Sequence, residues 1–125
     1  MSVQIDKDRD LPKRTKEYAL RIIRLYIALP KSEVARVLGK QLLRSGTSAG
    51  AHYAEANHAK SNKDFINKLE GGLQVLNESR YWLELLRDSD TVKADRLQPL
   101  IHETSELISI FVKMTTTVKR RTGSK

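Results

Sequence analysis

Cysteine is absent from this chain, which excludes disulfide staples, thiol catalysis and thiolate metal sites together. No run of about 18 apolar residues occurs, so no segment reads as a membrane-spanning helix. Residues 1–16, MSVQIDKDRDLPKRTK, lack the apolar stretch of a secretory signal, and the expected location is the cytoplasm. Proline and glycine number only three and six in 125 residues, which leaves no long linker or low-complexity tract. Aromatic residues make up 6%, and most fall at helical spacing, as core residues do. No zinc finger, basic zipper or RNA-stacking aromatic strand is visible, so sequence-specific nucleic-acid readout has no basis here.

What is present is apolar periodicity. The length fits one domain that can bury a core unaided. Tyr18, Ile22, Leu25 and Leu29 repeat at intervals of four, three and four, the stripe of a helix that begins at Leu11 or Thr15. Ile23 and Tyr26 widen that stripe, and Pro30 ends it. Ser32 is a good N-cap for a second helix with Val34, Leu38 and Leu42 on its first stripe. The run Ser45-Gly46-Thr47-Ser48-Ala49-Gly50-Ala51 reads as helix despite its low propensity, because small residues let a neighbouring helix approach closely. Ser61, followed three residues later by Asp64, is a capping-box variant opening a third helix with Phe65, Leu69, Leu73, Leu76, Trp82 and Leu86. A fourth helix starts near Lys93 or Ala94 and carries Leu97, Leu100, Ile101, Leu107, Ile108 and Met114.

Short connections near residues 30, 60 and 91 make successive helices antiparallel. The predicted fold is therefore all-α, an antiparallel up-down-up-down four-helix bundle over residues 1–118, followed by a basic disordered tail over 119–125. If the second turn centres on residue 60, Gly50 faces Gly71 and Ala49 faces Gly72. The small patch then compensates for two helix-interior glycines, at about 1 kcal/mol each. The same register predicts a contact between Arg44 and Glu78.

Lysine and arginine exceed aspartate and glutamate by 23 to 15, a formal charge of +8, which favours acidic partners such as nucleic acid. The surplus is uneven: residues 61–90 carry four basic and six acidic side chains, whereas residues 119–125 carry four basic and none acidic. Up-down-up-down topology gathers Lys13, Arg14, Lys16, Lys60, Lys63, Lys119, Arg120 and Arg121 at one pole, with Arg21 and Arg24 along the first helix. These ten side chains are the candidate nucleic-acid contacts, offset in part by Asp6, Asp8, Asp10, Glu17 and Asp64.

Catalytic and metal chemistry find little support. Glu55-Ala56-Asn57-His58 has the Glu-x-x-His spacing of di-iron bundles, but such a site needs a second pair, and Pro99 stands three residues before His102. His52 and His58 lie six residues apart, which fits no common chelating spacing on a helix. No phosphate-binding G-x-x-x-x-G-K-[ST] loop and no G-x-S-x-G nucleophile elbow occurs. The expectation is a non-enzyme with no cofactor and no metal.

Three separated motifs carry a resemblance. Arg44-Ser45-Gly46-Thr47-Ser48 through Ala54-Glu55-Ala56, then Ser61-Asn62-Lys63-Asp64-Phe65, then Glu78-Ser79-Arg80-Tyr81-Trp82-Leu83 occur in order. Across residues 15–117 the chain resembles the four-helix-bundle family of proteins encoded within intervening sequences of bacterial 23S rRNA genes. Glu55, Ser61, Asp64, Phe65, Glu78, Ser79 and Trp82 match that pattern; His52 stands where many members have asparagine, and Asn57 close to where many have glycine. The resemblance implies a bacterial homopentamer. It also implies kinship with the basic accessory protein of diversity-generating retroelements, which binds nucleic acid and a reverse transcriptase. The functional expectation is an oligomer associating with RNA or DNA through backbone electrostatics; the alternative is a protein–protein scaffold whose charge serves solubility.

Overall fold

A computed structural model describes residues 10–122. Four helices occupy them: α1 (Leu11–Ala28), α2 (Glu33–Asn57), α3 (Asn62–Asp88) and α4 (Ala94–Arg121), with no strand among the described residues. Helix α1 packs along α2, α2 along α3 and α3 along α4, while the backbones of α1 and α4 approach only briefly. This is the expected antiparallel four-helix bundle.

Local chemistry places the helix ends. Asp10 accepts from the Lys13 amide, and Pro12 lies in the first turn of α1, where a missing N–H costs nothing. Leu29 is extended ahead of Pro30, as the residue before a proline must be. Ser32 caps α2 by accepting from the Ala35 amide, and Ser61 caps α3 by accepting from the Asp64 amide; each cap contributes about 1 kcal/mol. The Asp64 carboxylate reaches back to the Lys60 amide at 3.4 Å, completing the box one residue earlier than the standard pattern. Helix α4 has no such help: Lys93 offers no side-chain cap, and Pro99 lies inside the helix.

The core is built from Tyr18, Ile22, Leu42, Leu69, Leu76, Leu83, Leu86, Leu97, Leu107 and Phe111, each almost fully buried. The stripe expected on α2 is rotated. Val34 is 51% exposed, and the inward face instead carries Ala35, Gly39, Leu42, Gly46, Ala49 and Tyr53. Ile23 of α1 is likewise at the surface.

The small residues of α2 serve α1 rather than α3. A Cβ on Gly46 lies 2.8 Å from Ile22 Cγ1, and one on Gly50 lies 3.1 Å from Thr15 Oγ1. Gly39, Gly46 and Gly50 thus form one face against which α1 rests. The expected Gly50–Gly71 and Ala49–Gly72 pairings do not occur: Gly71 makes room for the His52 ring, and Gly72 for Phe111 of α4. Between α2 and α3, Ser45 bonds Ser79, Glu55 pairs with Lys68, and His52 faces Gly71. That register is centred near Asn62, because extended Ser61 lets the first turn of α3 stand beyond the end of α2. Arg44 accordingly sits level with Arg80, and no ion pair joins it to Glu78, contrary to the sequence expectation; both side chains are exposed.

Midway along the bundle, each helix contributes one buried hydroxyl. Thr104 donates to the Leu100 carbonyl at 2.7 Å, so the Tyr18 hydroxyl donates to Thr104 Oγ1 at 2.6 Å. Ser45 and Ser79 join at 2.8 Å, and Ser79 also bonds the Val75 carbonyl. Burial pushes the Tyr18 phenol up to about 12. With every hydroxyl satisfied, this belt fixes the alignment of the helices without leaving a stranded polar atom.

Candidate nucleic-acid interface

The α2–α3 turn and the last turn of α4 meet at one end of the bundle, where Val118 and Phe65 share the walls of a hollow with Lys60, Ser61 and Asn62. Helix α4 runs on through Arg121, so Lys119, Arg120 and Arg121 are helical rather than part of a disordered tail; residues 123–125 lie outside the described residues. Cations in that turn face the carbonyl end of the helix dipole, which favours them by several tenths of a kcal/mol each. Lys119 is held by Glu70 at 3.1 Å. Lys60, Lys63, Arg120 and Arg121 are exposed, and among the described residues no carboxylate forms an ion pair with them.

Lys113 joins this group although the sequence reading passed over it. It lines a second, adjoining hollow of about 230 Å³ with Phe65, Met114, Thr117, Val118 and Arg121. The signal was present as the four-residue spacing of Lys113, Thr117 and Arg121, which places them on one face of α4. Phe65, read as a core residue, is half-buried and lines both hollows.

The cations of α1 are placed differently from expectation. Arg14 Nε lies 2.7 Å from Glu103 Oε2, and its Nη2 contacts Glu103 at 2.9 Å and Glu106 at 2.5 Å. Glu103 raises the affinity of this guanidinium for its proton, and Arg14 in turn holds the Glu106 carboxyl below its usual range. His102 Nε2 approaches Glu106 at 3.0 Å from the next turn. Arg14 is thus a clasp between α1 and α4. Glu106 precedes Arg121 by roughly 20 Å along the helix, taking about 1.5 Å per residue. The start of α1, with exposed Lys13 and Lys16, is therefore set back along the flank rather than sharing the pole. Arg21 is half-buried beside the central belt and Arg24 is exposed farther on. Asp6 and Asp8 lie outside the described residues.

At the opposite end, the α1–α2 hairpin leaves apolar side chains in water. Ile27 is 75% exposed, and Ile23, Val34 and Val37 are exposed as well. A hollow of about 550 Å³ opens there between Tyr26, Ile27, Leu29 and Pro30 on one side and Ser32, Ala35 and Arg36 on the other. Lys31 also lines it, and Glu33 pairs with Arg36 at the rim.

Of the polar groups along α2, Glu55 and His58 are engaged and His52 is not. Glu55 pairs with Lys68 at 3.6 Å, and His58 Nδ1 donates to the Ala54 carbonyl at 3.0 Å. His52 Nδ1 is buried without a partner against Gly71. Among the described residues, no three His, Asp or Glu side chains converge as a metal site needs, and no helix is long and apolar enough to cross a membrane.

Comparison with known proteins places this geometry. No curated protein matches the chain. A solved structure of a protein of unknown function from the S23 ribosomal protein family, from Bacteroides thetaiotaomicron VPI-5482, is 36% identical. The match covers 84% of this chain and 97% of that one, with a TM-score of 0.79. The family model described as 23S rRNA-intervening sequence protein matches residues 7–113, and the chain belongs to that family.

Proposed function

We propose that this protein is a non-enzymatic, cytoplasmic homo-oligomer, a pentamer, that associates with RNA or DNA through backbone electrostatics. The observation that carries the reading is the gathering of Lys60, Lys63, Lys113, Arg120 and Arg121 around one end of the bundle, none of them ion-paired with a carboxylate among the described residues. Cations without partners attract phosphates at little desolvation cost and release counterions on binding. Engagement of Glu55 with Lys68 and of Glu103 with Arg14 supports the non-enzymatic part, since these carboxylates brace one helix against another. Exposed Ile27, Val34 and Val37 at the far end support self-association, because contiguous apolar surface on a soluble chain marks a contact.

Titration of labelled RNA and DNA at two salt concentrations tests the nucleic-acid reading. Tight binding that weakens with salt, by about 0.9 in log–log slope per duplex phosphate neutralised, is expected; a flat dependence rejects it. Light scattering after size exclusion tests the pentamer, and a stable monomer at micromolar concentration rejects it. The same apolar end supports a second reading, a protein–protein scaffold with no nucleic-acid role. That reading prevails if the oligomer is intact but binds neither RNA nor DNA at low salt.

A further inference from the structure

We infer that the hollow between α3 and α4 accepts an unpaired nucleobase, so that the cationic end selects single-stranded nucleic acid over duplex. The inference rests on the nucleic-acid reading above and names its substrate class. Its basis is the meeting of an apolar surface with exposed cations. Phe65, Met114 and Val118 give the hollow an apolar, partly aromatic lining, while Lys113 and Arg121 flank it on α4 without ion-pair partners among the described residues. The adjoining hollow shares Phe65 and Val118 and adds the amides of Asn57 and Asn62 beside Lys60.

Backbone electrostatics alone has no use for an apolar lining. The outside of a duplex offers phosphate and sugar, and its base faces are stacked away from a protein surface. An unpaired base offers an apolar face for Phe65, a hydrogen-bonding edge for an asparagine amide, and phosphates on either side for Lys113, Arg121 and Lys60. The volume agrees: about 230 Å³ lies below the range of roughly 300–1,000 Å³ typical of sites for drug-sized ligands, and suits one planar fragment. Stacking on Phe65 tolerates any base, so the selectivity is for strandedness rather than sequence.

The test uses the full chain and three labelled probes of equal length: a single-stranded RNA, the same backbone without bases, and a duplex. The intact single strand is expected to bind about 10-fold tighter than either of the others at one salt concentration, within the range base stacking supplies. Phe65→Leu removes the aromatic surface, and Thr117→Leu fills the hollow from an exposed position that leaves the core untouched. Each is expected to bring the single strand down to the level of the abasic probe, with the salt slope unchanged. Equal, salt-sensitive binding of intact, abasic and duplex probes overturns this inference while leaving the electrostatic reading in place. Unchanged preference in the folded Thr117→Leu variant also overturns it. Failure of all three probes to bind at low salt overturns both.

Discussion

Where α2 turns into α3, Ser61 and Asp64 satisfy the backbone of the new helix, and lysines and arginines face water beside the close of α4. Where α1 turns into α2, Ile27, Val34 and Val37 face water instead, and the neighbouring start of α4 has neither a side-chain cap nor an uninterrupted second turn. One bundle thus carries two differently finished ends. Charged side chains are stable in solvent and keep their strength for a polyanion; apolar side chains in solvent lose about 25 cal/mol for each Å² left wet. The difference teaches that, under the proposed function, recognition of phosphate and self-association need not compete for surface, because the cationic and the apolar side chains occupy opposite ends of the same helices.

The largest expected effect comes from reversing the cationic end. A variant carrying Lys60→Glu, Lys63→Glu, Arg120→Glu and Arg121→Glu is expected to lose more than about 100-fold in affinity for RNA or DNA at low salt. Its salt slope should flatten by about 0.9 for each phosphate that is no longer neutralised, while its circular dichroism stays that of the parent. Retained affinity would mean that the two ends are not electrically distinct in use.

Next in size is the apolar end. Ile27→Asp together with Val34→Asp is expected to convert the proposed oligomer to monomer by light scattering, with folding stability of the chain changed by no more than about 0.5 kcal/mol per exposed site. An oligomer unaffected by both changes moves the assembly surface elsewhere.

The middle of the bundle, common to both ends, responds to alkali. Tyr18 has a folded-state value raised to about 12 from 10.0 by burial. Its contribution is therefore full below pH 10 and is lost as pH rises toward 12, since the unfolded chain releases the proton first. The expected loss approaches about 2–3 kcal/mol by pH 12. Urea melts of Tyr18→Phe should lack that part of the slope, and an identical slope in both proteins argues against a buried neutral phenol.

The smallest effect sharpens the contrast in capping. Lys93→Ser gives α4 the hydroxyl that Ser32 and Ser61 give their helices, and a gain of about 1 kcal/mol in urea melts is expected. A matching Ser61→Ala variant should lose a similar amount. If the gain at Lys93 does not appear, Pro99 rather than the missing cap sets the weakness of that start.

Elements and their ends were legible because they depend on neighbours in the chain: Pro30, Ser32 and Ser61 act within one turn of themselves. The rotation and register of one helix on another depend on partners far along the sequence, which no local pattern encodes. Val34 counted as core because periodicity identifies a stripe but not its angular centre, and Ala35 with Gly39 turned out to face inward. Gly50 faces α1 rather than the expected α3, since smallness alone does not name the partner. Arg14 is the instructive case for the site. Its two carboxylates lie 89 and 92 positions away, so a sum of charges could count this cation but could not tell that it was occupied. Lys113 shows the converse, a cation in a segment of balanced charge that packing brings beside Arg121.

The buried hydroxyl belt has a consequence for anyone who redesigns this chain. Replacing Tyr18, Ser45, Ser79 and Thr104 together with apolar residues of similar shape removes four demands for a partner, and the resulting protein could melt later than its parent. Yet a helix that slides by one turn in the native chain must abandon its bond in a dry interior, whereas in the redesigned chain it would meet only another oily neighbour. The hydroxyls act less as glue than as keys, excluding near-miss alignments that hydrophobicity alone would tolerate.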